Sequence, residues 1–271
     1  MNRTEQETFQ LTAELAEAYE ELFVPRFFAQ WAPYLLDGAG ITTGQQVLDV
    51  GCGTGVVARA AAGRVAPGGK VVGVDLNEAM LAVARRVAPE LRWQQGDAGG
   101  LPFDSESFDV VVSQMAMMFF PEPAAAVREM RRVVCPGGTV GVLVPGSLAG
   151  NPPYELFVDV VSRHAGEEAR RLVTSYFALG DLDRLSGYFA DAGLAVTATD
   201  RPVGEFRYDS IDQVIGVELD STPLGGRLGP GVREAIVADC RTALAGYVTG
   251  TGEVLFPFEC RLVIATNRLK V

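Results

Sequence analysis

Through the middle of the chain, short continuous apolar runs alternate with amphipathic stretches. Gln46–Val50, Lys70–Val74, Leu91–Gln95, Phe108–Ser113 and Thr139–Val144 have strand length, and most are β-branched. Between them, Val56–Val65, Asn77–Val87 and Pro123–Val134 carry helical spacing. Runs such as Val110-Val111-Val112 are apolar throughout, as a parallel sheet covered on both faces requires. Right-handed crossovers between such strands predict a doubly wound α/β sheet. Two helical patterns lead the chain, Glu5–Leu22 and Pro25–Leu36, with Pro25 suited to a first helical turn. Past Val144 the alternation stops. Tyr154–His164, Glu167–Tyr176 and Asp183–Ala192 read as helices, and Leu194–Thr199 as a sixth strand. Ile211–Glu218 and Gly231–Ala245 read as helices again, before a last strand Phe256–Ala265 that contains Pro257.

The first strand runs into Gly51-Cys52-Gly53-Thr54-Gly55 and then a helix, so the backbone can turn tightly and approach a ligand closely. The second strand ends in Asp75, twenty residues after Gly55, where a carboxylate can accept hydrogen bonds from two ribose hydroxyls. An adenosine cofactor is indicated. A dinucleotide loop wants a third glycine where Val56 stands, and Asp49 sets a carboxylate two residues before the first glycine. That carboxylate repels a diphosphate and attracts an ammonium or sulfonium group, so a cationic adenosine cofactor fits better.

These residues resemble the class I S-adenosylmethionine-dependent methyltransferases, in particular the small-molecule group that includes quinone-biosynthesis enzymes. The resemblance rests on VLDVGCGTG, VVGVDLNEAML, GDAGGLPFDSESFDVVVSQ and REMRRVVCPGG, in that order over about residues 45–146. It implies a Rossmann-like seven-stranded sheet with an antiparallel last strand, in one domain. Within it, residues 1–44 would be leading helices, 45–146 the cofactor-binding core, 147–190 and 209–250 a helical cap, and 191–208 and 251–271 the last strands. It further implies that Gly51, Gly53 and Gly55 line S-adenosylmethionine with backbone, that Asp49 faces its amino-acid end and that Asp75 takes the ribose. Leu76 and Met80 would lie on the adenine, Asp97 and Ala98 would read its edge, and Gln114 would sit beside the methionine moiety. The product would be S-adenosylhomocysteine, with no metal.

For the acceptor, the candidate wall is Tyr19 and Phe23 from the leading helices, Met115 and Met118 after the fourth strand, and Tyr154 and Tyr176 from the cap. Tyr19, Phe23, Phe27 and Trp31 recur every four residues, but Pro25 is expected to split them between two helices. Asn151-Pro152-Pro153-Tyr154 resembles an amino-group methylation tetrad, yet it follows the fifth strand rather than the fourth, so a proline-stiffened helix start is the better reading. His164 is the only histidine and the candidate general base, set among charged neighbours that suit a solvated surface. Methyl transfer from a sulfonium needs little beyond alignment and exclusion of water, which accounts for the lack of any Ser-His-Asp order or H-E-x-x-H motif.

Composition narrows the partners. With 34 acidic residues against 23 basic ones the formal charge is -11, so nucleic acid is an unsuitable partner and a small-molecule acceptor is expected. The four cysteines, Cys52, Cys135, Cys240 and Cys260, have neither metal-finger nor C-x-x-C spacing and read as free thiols. No apolar run reaches the ~20 residues of a membrane span, so a cytoplasmic protein without membrane insertion is expected. Two alternatives stay open: a protein that binds the cofactor without catalysis, and a nicotinamide-dependent oxidoreductase, which lacks its Tyr-x-x-x-Lys pair here.

Overall fold

The computed structural model describes residues 10–220, 222–229 and 231–269. Helix α1 (Ala13–Ala18) is capped by Thr12 and runs directly into a π-helical segment, Tyr19–Phe28, which is followed by α2 (Trp31–Gly38). The first residues of the expected leading helix, 5–9, lie outside the described residues. Pro25 does not open a second helix. It sits inside the π-helical segment, whose wider coil closes with Ala29 N–H donating to Val24 O at 2.9 Å, and the break falls at Ala29 and Gln30. Residues four apart stay adjacent on this coil: ring centroids are 6.0 Å apart for Tyr19 and Phe23, 5.7 Å for Phe23 and Phe27, and 6.4 Å for Phe27 and Trp31. The aromatic series that Pro25 was to divide is therefore continuous.

The alternating core follows as β1 (Gln46–Val50), α3 (Val56–Val65), β2 (Lys70–Asp75), α4 (Glu78–Val87), β3 (Arg92–Gln95), β4 (Phe108–Gln114), α5 (Pro123–Val133) and β5 (Val134–Pro145). Local chemistry fixes these boundaries. The Asn77 side chain accepts from the amides of Ala79 and Met80 to start α4, and Pro123 occupies the first turn of α5. The remainder is α6 (Pro152–Ser175), α7 (Leu182–Asp191), β6 (Ala195–Asp200), β7 (Val203–Tyr208), α8 (Ile211–Asp220), α9 (Val232–Ala243) and β8 (Val254–Thr266). Gly166, at φ +78°, kinks α6 into the two helices read from sequence.

The strand order is β3-β2-β1-β4-β5-β8-β6, with β7 added on β8. β1 to β5 pair in parallel, and β8 runs antiparallel to both β5 and β6. The sheet thus has the doubly wound form and the antiparallel last strand that were expected, plus an eighth strand that was not. β8 is long enough to pair with β5 from Cys260 to Thr266 and with β7 from Val254 to Glu259. Pro257 lies in the part that has left β5, an edge where a missing N–H is tolerated. The order reverses between β1 and β4, and a doubly wound sheet opens its crevice outside the carboxyl ends of strands at such a reversal.

Candidate active site

That crevice is a deep cleft, with about 1310 Å³ of empty space including its mouth. Its floor comes from the strand ends: Asp49, Gly51, Gly53, Asp75, Leu76, Met80, Asp97, Ala98 and Gln114 all line it. Tyr19, Phe23, Met115, Met118, Tyr154 and Tyr176 line it as well. The polar and apolar residues singled out from sequence therefore meet in one place, with Gly55 and His164 as the exceptions.

The floor is rich in hydrogen-bond acceptors. Asp75 Oδ2 accepts from Gly53 N–H and Oδ1 from Asn77 N–H, both at 2.8 Å, which fixes the carboxylate and leaves each oxygen a further lone pair. Burial raises its pKa, against the pull of those backbone donors. Asp49 is 1% exposed and accepts from Ala58 N–H at 3.0 Å; burial pushes its carboxyl up to about 7, with the Asp75 charge adding to the rise. Gln114 donates through Nε2 to Phe28 O at 3.0 Å, while its buried Oε1 has no hydrogen-bond partner. A buried acceptor without a donor is costly, so this atom calls for a ligand N–H. Among the described residues that line the cleft none is a lysine or arginine. The charge of Arg59 reaches Asp49, but that guanidinium is committed to Thr54 O and Glu20, so the buried carboxyls and the orphaned amide oxygen suit a ligand end that is positive and donates hydrogen bonds, and disfavour a diphosphate.

The two exceptions have other employment. Gly55, at φ +90°, starts α3, and a Cβ there would lie 2.2 Å from Cη2 of Trp93, so this glycine serves packing between loop and sheet. His164 is not brought to the cleft: its Nε2 lies 2.9 Å from Asp239 Oδ2 on α9, and Arg163 reaches the same carboxylate at 3.1 Å. The general-base expectation is corrected by that position. Asn151 is likewise spent on the fold, its side chain bonded to the backbone of Ser147 and Glu259.

One residue that the sequence reading passed over does line the cleft. Glu218, on α8, is 4% exposed and accepts a short hydrogen bond from Tyr154 Oη, while its Oε2 is buried without a partner. Burial pushes its carboxyl up to about 7, partly offset by the Tyr154 hydroxyl. Its signal was available: Ile211, Val214, Ile215 and Glu218 share one face of α8, and a lone acid on an apolar face demands a reason.

Comparison with known proteins agrees with this geometry. Residues 48–142 match the family described as "Methyltransferase domain". The ubiquinone/menaquinone biosynthesis C-methyltransferase UbiE of Idiomarina loihiensis is 30% identical over 188 residues, which cover 66% of this chain and 75% of the relative. The chain belongs to the class I S-adenosylmethionine-dependent methyltransferases. The demethylmenaquinone methyltransferase of Renibacterium salmoninarum is 32% identical over 174 residues, covering 60% of this methyltransferase and 72% of the relative. A crystal structure from Bacillus halodurans C-125 shares the fold, with a TM-score of 0.61 at 22% identity over 88% of this chain and 98% of that one. Membership sets the dehydrogenase alternative aside. Among the described residues of the methyltransferase, no group of three His, Cys, Asp or Glu side chains is placed to hold a metal, and no helix is long and apolar enough to cross a membrane.

Proposed function

We propose that this methyltransferase methylates a small, partly apolar acceptor held between the acceptor-rich floor of the cleft and its aromatic wall. The observation that carries the reading is that one cleft is lined both by buried polar groups, Asp49, Asp75 and Gln114, and by apolar and aromatic ones, Phe23, Met118 and Tyr176 among them. On the floor, Asp75 would take the ribose hydroxyls, Asp49 and the free Oε1 of Gln114 the ammonium end, and the backbone at Gly51 and Gly53 the span between. Leu76 and Met80 would flank the adenine, with Asp97 and Ala98 at its edge. When bound, S-adenosylmethionine supplies a methyl group activated by a positive sulfur.

The chain's own part is to align the partners and keep out water. The leading segment lines the cleft and is fastened along its length: Asn77 Nδ2 donates to Leu11 O at 3.1 Å, Arg86 pairs with Glu17, Arg59 pairs with Glu20 at 2.8 Å, Gln114 holds Phe28 O, and Gln30 bonds the backbone of Glu205. Met115, at φ +50°, turns the chain out of β4 with its N–H bonded to Leu143 O at 2.7 Å, which sets Met115 and Met118 against the cleft. Calorimetry is expected to give micromolar binding of S-adenosylmethionine and none of NAD, and tritiated methyl groups are expected to pass to a component of a metabolite extract. Binding without transfer would favour the non-catalytic reading; absence of binding would overturn the assignment of the floor.

A further inference from the structure

Among the described residues that line the cleft, Glu218 is the carboxylate not already placed in its floor. Its surroundings are aromatic: Tyr154 packs against Phe177, Phe206 and Phe258 with ring centroids at 5.3, 6.0 and 5.5 Å. Only one of its oxygens is used, by Tyr154 Oη, and the buried Oε2 waits for a donor. A buried carboxylate in such a setting is costly unless something completes its hydrogen bonding, and the packing of α8 against β7 and α9 does not provide it. The other ionisable groups nearby are phenols, Tyr154 in the first turn of α6, Tyr176 at its end and Tyr208 on β7, the last also within reach of the Arg26 charge. The arginines of α9 that reach α8, Arg233 and Arg241, are committed to Asp220 and Asp212 on its exposed side.

Resting on the methyltransferase reading of the cleft, we propose that Glu218 Oε2 is the proton acceptor for the methylated substrate, and that this substrate is an apolar molecule with an acidic hydroxyl of the phenol or enol class. As the O–H bond breaks, its proton passes to Oε2 and its electron pair stays on the substrate. That pair, at oxygen or delocalised to the adjacent carbon, forms the new bond to the methyl carbon, and the carbon–sulfur pair leaves with sulfur. Glu218 ends protonated and returns its proton to solvent when product departs. The Tyr154 hydroxyl, bonded to Oε1, is a positioning group: it holds the carboxylate and leaves Oε2 toward the substrate. A base with a carboxyl lifted into the neutral range is matched to such hydroxyls far better than an ordinary surface glutamate.

The test uses 4-nitrophenol, acidic enough to ionise near neutral pH and with an absorption that separates the neutral and deprotonated forms, and 4-nitroanisole, which has the same ring without the proton. Both are titrated into the full chain saturated with S-adenosylhomocysteine. The unaltered protein is expected to bind 4-nitrophenol at least tenfold more tightly than its ether and to show nitrophenolate absorption. Glu218→Gln is expected to abolish that preference and the nitrophenolate band while retaining S-adenosylhomocysteine affinity within about twofold. Tyr154→Phe should keep the band but move its pH midpoint upward, because the hydroxyl that favours the ionised carboxylate is gone. Equal binding of phenol and ether, no binding of 4-nitrophenol, or nitrophenolate absorption that survives Glu218→Gln would each overturn the proposal. Failure of the unaltered chain to bind S-adenosylhomocysteine would instead overturn the reading of the cleft.

Discussion

The Asp75 carboxylate ties the end of β2 to the glycine loop, with its Oδ2 receiving the Gly53 N–H at 2.8 Å. The bond shapes the loop before any ligand arrives and leaves a lone pair for a ribose hydroxyl. Asp75→Ala is expected to weaken S-adenosylmethionine binding by about 1–3 kcal/mol, the range for losing charge-assisted hydrogen bonds. Calorimetry on the two proteins checks this, and unchanged affinity would remove Asp75 from the floor's binding set.

Gly55→Ala is expected to cost about 2–4 kcal/mol of stability. The residue would carry a left-handed backbone, and its methyl group would be driven into the Trp93 ring. Combining it with Trp93→Leu should give less than the sum of the two separate losses, since the clash partner is gone. Urea titrations of the four proteins supply the cycle.

Cofactor affinity should depend on pH through Asp49. With its carboxyl lifted to about 7, the empty protein holds a proton there at pH 6 that a positive ligand must displace. Affinity for S-adenosylhomocysteine is therefore expected to rise by up to about tenfold per unit as pH increases toward 7, then level off. Asp49→Asn should bind more weakly and lose most of that slope. A wild-type slope retained in the variant would point to another group.

Glu218 should leave its mark on the stability of the empty protein. Its folded carboxyl lies near 7 against an ordinary 4.5, so it contributes fully below the ordinary value and loses that contribution as pH rises through 7. Glu218→Gln is expected to flatten the fall in stability between pH 5 and 8 and to be more stable than the parent at pH 8 by about 1–3 kcal/mol. Denaturant midpoints across that range decide it.

The half of the molecule built from local rules was legible in the sequence. β1, β2 and the loop between them announce themselves because parallel strands are apolar throughout and the turn at Gly51–Gly55 needs glycine. Three features were not, each because a neighbour distant in sequence decides it. β7 reads as weak alternation around Gly204, Phe206 and Tyr208, and becomes a strand only because β8 overruns β5 to pair with it. Pro25 looks like a helix start until a π-helical coil accommodates it. Glu218 is marked in the sequence only as a lone acid on the apolar face of α8, and that it lies buried in the cleft is decided by the Tyr154 hydroxyl and the aromatic wall.

The match to the methyltransferase domain family runs over residues 48–142, and Tyr19, Tyr154, Tyr176 and Glu218 all lie outside it. The cleft is thus walled from three stretches of polypeptide, the leading segment with Tyr19 and Phe23, the core with Met115 and Met118, and the later helices with Tyr154, Tyr176 and Glu218, which meet only in the folded state. Exchanging residues 147–269 alone between two such proteins would therefore leave half of the wall behind.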